Sequence, residues 1–282
     1  MAIVGLGLLG GSLGLALKKA GFNGRIVGYA RRDETRQQAL TTGAIDEGFS
    51  DVNKAVHGAD LVILATPVAV ILDHLPRLHP HVSPEALVTD VGSTKRRICG
   101  LAAEYYTQGP LFLGGHPMAG KERSGLENAD AGLFANARYV LTPIKPEDLN
   151  DHRVQAFRAL VTAIGARPLT TDPVTHDRAV AYLSHLPQLL SSGLASLIDE
   201  KCVAENLILD VAASGFRDVT RLADSPYSVW RDICLTNTEN IQLALDALIQ
   251  KLESIKAHLS DRDLEREFEA AHKLRDKLRE MS

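Results

Sequence analysis

The strictest constraint on what this chain can fold into lies in its first dozen residues, Met-Ala-Ile-Val-Gly-Leu-Gly-Leu-Leu-Gly-Gly-Ser. An apolar strand runs directly into Gly5-x-Gly7-x-x-Gly10, and an apolar helical pattern follows over Ser12–Ala20. In such an arrangement Gly5 permits the tight turn, Gly7 lets a pyrophosphate approach the backbone, and Gly10 lets the helix pack closely on the strand. The helix N-terminus adds free N–H groups and the positive end of a dipole. A lone glycine pattern of this kind can be only a turn. Here a second strand, Arg25–Tyr29, arrives where a βαβ unit requires it. The segment is predicted to hold a dinucleotide.

The end of that second strand speaks to which dinucleotide. An NAD site places an acidic residue about 20 residues beyond the glycines, on the adenosine ribose. This chain has Ala30, Arg31 and Arg32 there. Without a carboxylate nothing repels a 2′-phosphate, and guanidinium groups suit phosphate oxygens. The spacing therefore predicts NADP, with Arg31 and Arg32 as contacts. NAD stays open, because Asp33 and Glu34 follow at once and could serve the ribose from a longer turn.

Short apolar runs alternate with helical patterns over the first 170 residues. Strands are predicted at Ile3–Gly5, Arg25–Tyr29, Leu61–Thr66, Leu87–Asp90, Leu111–Gly114, Tyr139–Thr142 and Arg167–Thr170, with helices such as Val68–Leu78 and Lys95–Tyr106 between them. That alternation predicts an α/β fold, a Rossmann-type doubly wound and mostly parallel sheet. From Asp172 onward strand-like runs vanish, and helices are expected over 173–200, 203–213, 216–223, 226–258 and 261–280. The reading is a dinucleotide-binding domain over 1–171 and an all-helical domain over 172–282, which would cap the carboxyl edge of the sheet and dimerise. A net charge of −4 gives no reason to expect nucleic-acid or membrane-surface binding. Cys99, Cys202 and Cys234 are scattered and lack metal-ligand spacing, which suits reduced thiols in a cytoplasmic protein with no metal.

Four further motifs carry chemistry. Thr89-Asp90-Val91-Gly92-Ser93-Thr94-Lys95 places Ser93 just past a strand, as an active-site hydroxyl or as a helix N-cap. Gly114-Gly115-His116-Pro117-Met118-Ala119-Gly120 does the same for His116. In Tyr182-Leu183-Ser184-His185-Leu186-Pro187, Pro187 should kink a helix near Leu183, beside His185. Ser214-Gly215-Phe216-Arg217-Asp218-Val219-Thr220-Arg221 puts Arg217 and Arg221 on one helix face.

Together with Trp230-Arg231-Asp232, these motifs resemble the prephenate/arogenate dehydrogenase family of tyrosine biosynthesis, from Gly5 to about Asn240. The resemblance implies oxidation of a 4-hydroxycyclohexadiene carboxylate with NAD(P), loss of carbon dioxide, and a phenol product. It makes His116 the base at the ring hydroxyl, Ser93 its hydrogen-bonding neighbour, and His185 a second active-site imidazole. Arg221 becomes the clamp on the substrate carboxylate, and Arg217 and Glu122 further polar contacts. It also implies a homodimer acting on a small molecule. Gln188 stands where many prephenate-preferring relatives carry a second histidine, which tilts the reading toward arogenate or toward both substrates. Two rivals remain at this stage. One is an NADP-dependent β-hydroxyacid dehydrogenase or imine reductase, for which Lys201 would have to serve. The other is a redox sensor binding NADP(H), which would need none of His116, His185 and Arg221. Seven further histidines (57, 74, 79, 81, 152, 258 and 272) are expected at the surface.

Overall fold

Continuous apolar runs become the middle strands of one sheet because both of its faces are covered. The computed structural model describes residues 1–121, 123–205, 209–260 and 262–280. Its sheet holds β1 (Ala2–Val4), β2 (Val27–Tyr29), β3 (Glu47–Phe49), β4 (Leu61–Leu64), β5 (Leu87–Asp90), β6 (Leu111–Pro117), β7 (Arg138–Pro143) and β8 (Arg167–Thr170). The spatial order is β3-β2-β1-β4-β5-β6-β7-β8, a Rossmann order extended by two strands. Alternate residues feed the two faces. Ile3, Ile63 and Leu113 join one apolar cluster, while Val4, Leu64 and Phe112 join the other. Helices α1 (Leu8–Lys19), α2 (Asp33–Thr41), α3 (Val52–Val56), α4 (Val68–Leu78), α5 (Arg96–Tyr105) and α6 (His152–Ala163) lie between the strands.

Three features depart from the sequence expectation. β3 has no apolar run, since Glu47-Gly48-Phe49 earns its place only by pairing with β2. β6 runs on through His116 to Pro117 instead of stopping at Gly114, because it pairs antiparallel with β7, His116 opposite Val140. His74 and His79 are half-buried, set edge-on to Tyr29 and Tyr106.

The helical part opens with α7 (Pro173–Val180). Asp172 caps it, accepting from Val174 N at 3.0 Å and Thr175 N at 2.9 Å, and Pro173 occupies the first turn, where it has no hydrogen bond to lose. The kink expected before Pro187 takes the form of a π-helical turn, Ala181–His185, leading into α8 (Leu186–Glu205). The helix expected over 203–213 is not formed as such. Leu209–Val211 is a short 3-10 turn, and 206–208 lie outside the described residues. Helix α9 (Ser214–Thr220) gives way to a 3-10 turn over Arg221–Asp224. The long helix expected over 226–258 is two, α10 (Tyr227–Thr236) and α11 (Thr238–Ala257), broken at Asn237. The side chain of Asn237 explains the break, since Nδ2 donates to the Asp177 carbonyl at 2.8 Å. Last comes α12 (Asp263–Glu280).

Secondary structure changes type at residue 172, but the compact units of the chain are Met1–Thr238 and Glu239–Ser282. The second unit carries α11 and α12, joined by a Lys251–Glu267 ion pair at 2.8 Å. Among the described residues no helix is long and apolar enough to cross a membrane.

At the first turn the glycine pattern has a steric cause. Gly5 sits at φ +106°, and a Cβ there would lie 2.6 Å from the Ala65 carbonyl oxygen; one on Gly10 would lie 1.9 Å from the Gly5 carbonyl oxygen. Gly5→Ala combines a left-handed backbone with that clash. It should destabilise the protein by about 1–3 kcal/mol, read from the urea midpoint at constant slope. An unchanged midpoint would mean that the turn can relax.

Candidate active site

The carboxyl ends of β1, β4, β5 and β6 face one edge of the sheet, where a cleft of about 660 Å³ opens within the first compact unit. Ligands of open α/β sheets bind at that edge because the strand ends there are followed by loops and helix N-termini. Gly7, Leu8 and Leu9 line it after β1, Thr66 and Pro67 after β4, Gly92 and Ser93 after β5, and His116 at the end of β6. The helical part closes the far side with Leu183, Ser184, Gln188, Leu222 and Trp230.

The glycine loop fits a dinucleotide. Gly7 precedes α1 with no side-chain cap, and no atom beyond its two chain neighbours lies within 4 Å of where its Cβ would stand. With Leu8 and Leu9, it puts the head of α1 in the cleft wall, where a pyrophosphate would meet a helix N-terminus. Gly5 N donates to Tyr29 O at 3.0 Å, bringing the end of β2 alongside. Arg31 and Arg32 stand exposed at that end. Arg36 braces the turn, donating to Ala30 O at 2.6 Å and Arg31 O at 3.0 Å, and it holds the Asp33 carboxylate at 2.8 Å.

Below the cleft lies a buried charge pair. Lys95 and Asp90 form an ion pair with no exposure on either side chain. Lys95 Nζ also donates to Gly115 O at 2.7 Å. Asp90 accepts from Gly115 N at 3.0 Å and Gly92 N at 2.8 Å. Gly115 must be glycine, because a Cβ would sit 2.4 Å from the Asp90 carbonyl oxygen. The pair thus fixes the residue before His116 and the loop that presents Ser93. Ser93 is not the cap of α5. That role belongs to the Asp177 carboxylate, which accepts from Lys95 N at 2.6 Å and Arg96 N at 3.0 Å.

His116 is 8% exposed, and its Nδ1 pairs with His176 Nε2 at 2.8 Å. His176 Nδ1 in turn meets Asp177 Oδ1 at 2.7 Å. Burial, then His176, Lys95 and His185, hold His116 well below the ordinary imidazole range, so it is neutral at physiological pH. Burial likewise lowers His185, to about 4. His185 does not line the cleft. It is buried beside Trp230, with Nδ1 at 3.2 Å from Asn237 Nδ2 and Nε2 without a partner among the described residues.

The structure brings Gly7, Ser93 and His116 to one cleft and leaves other expected contacts outside its lining. Arg217 lies in α9 and Arg221 directly after it, at the start of the 3-10 turn; both are exposed. Glu122 lies outside the described residues. The sequence reading passed over His176, Asp177 and the Asp90–Lys95 pair. The pair sits inside a motif already singled out, whereas His176-Asp177 shows nothing but two polar residues early in a helix.

Comparison with known proteins matches residues 13–169 to the prephenate dehydrogenase nucleotide-binding domain and residues 172–274 to the prephenate dehydrogenase dimerization domain. A prephenate dehydrogenase of Bacillus subtilis is 38% identical over 98% of this chain and 75% of its own length. The structure of Aquifex aeolicus prephenate dehydrogenase with hydroxyphenyl propionate and NAD+ superposes with a TM-score of 0.85 at 30% identity, over 100% of this chain and 97% of that one. Synechocystis arogenate dehydrogenase gives 0.80 at 31% identity, over 98% and 99%.

Removing the cation from the buried pair leaves Asp90 charged and out of reach of water. Lys95→Met should therefore destabilise the protein by about 3–5 kcal/mol in urea unfolding. A loss below about 1 kcal/mol, the range of exposed pairs, would show that water reaches the site.

Proposed function

The chain belongs to the prephenate dehydrogenase family of nicotinamide-dependent oxidoreductases, and we propose that it prefers NADP and takes arogenate, with prephenate as a second substrate. Its resemblance to prephenate, arogenate and cyclohexadienyl dehydrogenases implies oxidation at the hydroxyl-bearing ring carbon of a cyclohexadiene, loss of carbon dioxide and a phenol product. One observation carries the assignment of the reacting group: a buried, neutral imidazole, His116, stands in the cleft wall with one nitrogen already engaged and the glycine loop in the same cleft.

The bound nicotinamide supplies the hydride acceptor. In our reading His116 takes the substrate hydroxyl proton at Nε2, and Ser93 orients that hydroxyl by a hydrogen bond. General-base help of this kind is worth roughly 10²–10⁴ in rate. Arg221 directly precedes cleft-lining Leu222, and we assign it and Arg217 to the substrate carboxylate. Because that carboxylate loses its charge as carbon dioxide leaves, the grip positions substrate more than it stabilises the transition state. Glu122 is retained as a polar contact on its place after His116 in the chain, and His185 as an imidazole supporting the cleft wall through Trp230.

The cofactor reading rests on the turn after β2. Arg36 already binds Asp33, so the acid nearest the strand end is occupied, and Arg31 and Arg32 are the exposed side chains there. For the substrate, Gln188 donates from Nε2 to Leu222 O at 2.8 Å and Ser192 Oγ at 3.2 Å. Both amide hydrogens are taken up, and the oxygen that remains favours a donor, as the ammonium of arogenate is. We divide the chain at 171/172 into a cofactor-binding and a helical part. A homodimer is supported by the dimerization-domain match and by exposed Leu243, Ile249, Leu252 and Phe268. The β-hydroxyacid rival loses its base, since Lys201 is exposed and paired with Glu205 at 2.5 Å. Three scattered thiols suit a cytoplasmic location.

Arg31→Ala should raise the KM for NADP by about tenfold, the cost of one charged hydrogen bond, while sparing NAD. Equal use of both cofactors by wild type would overturn this reading. His116→Asn keeps shape and one hydrogen-bonding atom, and kcat should fall by roughly 10²–10⁴ with dinucleotide affinity unchanged in fluorescence titration.

A further inference from the structure

Two buried groups have no part in that scheme. His176 is 2% exposed and Asp177 1%, and both sit behind His116 on α7. The hydrogen bonds around them leave little freedom. Asp177 accepts from two backbone N–H groups at the start of α5, so its carboxylate is an acceptor only. His176 Nδ1, at 2.7 Å from that carboxylate, must then carry the hydrogen. In neutral His176 the other nitrogen, Nε2, is an acceptor, and its partner at 2.8 Å, His116 Nδ1, must be the donor. What remains on His116 is a lone pair at Nε2 for the cleft.

We propose that His176 and Asp177 form a buried proton relay with His116, which sets its tautomer and takes over the positive charge when the substrate proton arrives. This rests on His116 being the base. The step balances as follows. The substrate O–H bond breaks and a bond forms at His116 Nε2. The hydrogen on His116 Nδ1 passes to His176 Nε2, while the hydride from the carbinol carbon leaves to the oxidised nicotinamide. Asp177 exchanges no proton and keeps its hydrogen bonds.

The surroundings of His116 say why a relay is needed. Facing it are Lys95, itself paired with Asp90, then His176 and Asp177 from α7, and His185 from the π-helical turn. Burial, then His176, Lys95 and His185, disfavour a cation on His116. Moving one proton across 2.8 Å sets the charge against the Asp177 carboxylate instead. His176 is therefore a positioning residue, with no contact to substrate required.

Two measurements on the full chain test this. In wild type labelled with ¹⁵N-histidine, signals assigned by their loss in His116→Asn and His176→Gln should show both rings protonated on Nδ1. A His116 ring protonated on Nε2 overturns the proposal. His176→Gln offers an oxygen to His116 Nδ1 and so keeps the tautomer, but it cannot accept the proton. Its kcat should fall at least about tenfold, with KM and dinucleotide affinity unchanged. The acidic limb of its kcat profile should move down by about one pH unit, because only His116 is left to titrate. Asp177→Asn, which keeps an acceptor at Oδ1, should move the limb the same way, whereas a purely structural role would lower kcat without moving it. Wild-type kcat and limb in both variants overturn the relay. Should His116→Asn itself keep wild-type turnover, the base assignment fails instead.

Discussion

The Asp90–Lys95 pair is the interaction on which the rest of the site depends. An ion pair with no access to water is tolerable only when further hydrogen bonds meet the remaining lone pairs and protons. Here they do, through Gly92 N, Gly115 N and Gly115 O. All three belong to the two segments that carry Ser93 and His116. The requirement to satisfy a buried charge thereby becomes a requirement on the spacing of Ser93 and His116. Gly115 completes the logic, since any side chain would push β6 away from Asp90.

A second pair of carboxylates attaches the helical part of the first compact unit to that framework. Asp177 sits on the N-terminus of α5, and Asp232 sits on that of α4, accepting from Ala69 N at 3.0 Å. Each meets orphan N–H groups and the positive end of a helix dipole. Thr94 and Thr236 add a hydroxyl contact at 2.8 Å between the two. Because Asp232 belongs to the same helix as Trp230 and Ile233, anchoring it sets the far wall of the cleft. Both docking points use helices whose N-termini lie at the carboxyl edge of the sheet, where the cofactor must also bind.

Much of the fold was legible because it is local. Apolar runs gave β4 and β5 nearly to the residue, and the turn at Gly5 and the close packing at Gly10 are each demanded by adjacent residues. What was missed is non-local. β3 exists only through its partner, and His116 falls inside β6 only because β7 runs alongside. Asn237 breaks a helix by bonding to Asp177, 60 positions away. The site divides in the same way. Ser93 and His116 sit in motifs of unusual composition, whereas His176 and Asp177 gain meaning only from three-dimensional contact. Arg217 and Arg221 keep their spacing of four, with α9 running through Thr220 and the 3-10 turn starting at Arg221 itself.

The electrostatics of the cleft resolve a conflict built into the chemistry. Hydride leaves a carbinol carbon more readily as negative charge grows on its oxygen, so the step calls for a base at that hydroxyl. Burial above all, then His176, Lys95 and His185, makes the imidazole placed there a poorer base. One imidazole meets that need poorly. Two in series can meet it, if the second faces a carboxylate that cannot leave. Asp177 meets that condition because releasing it would strand two backbone N–H groups at the head of α5 and loosen the helical wall from the sheet. In the relay proposed above, the carboxylate that caps α5 is also the one that would face the charge of the proton accepted at His116.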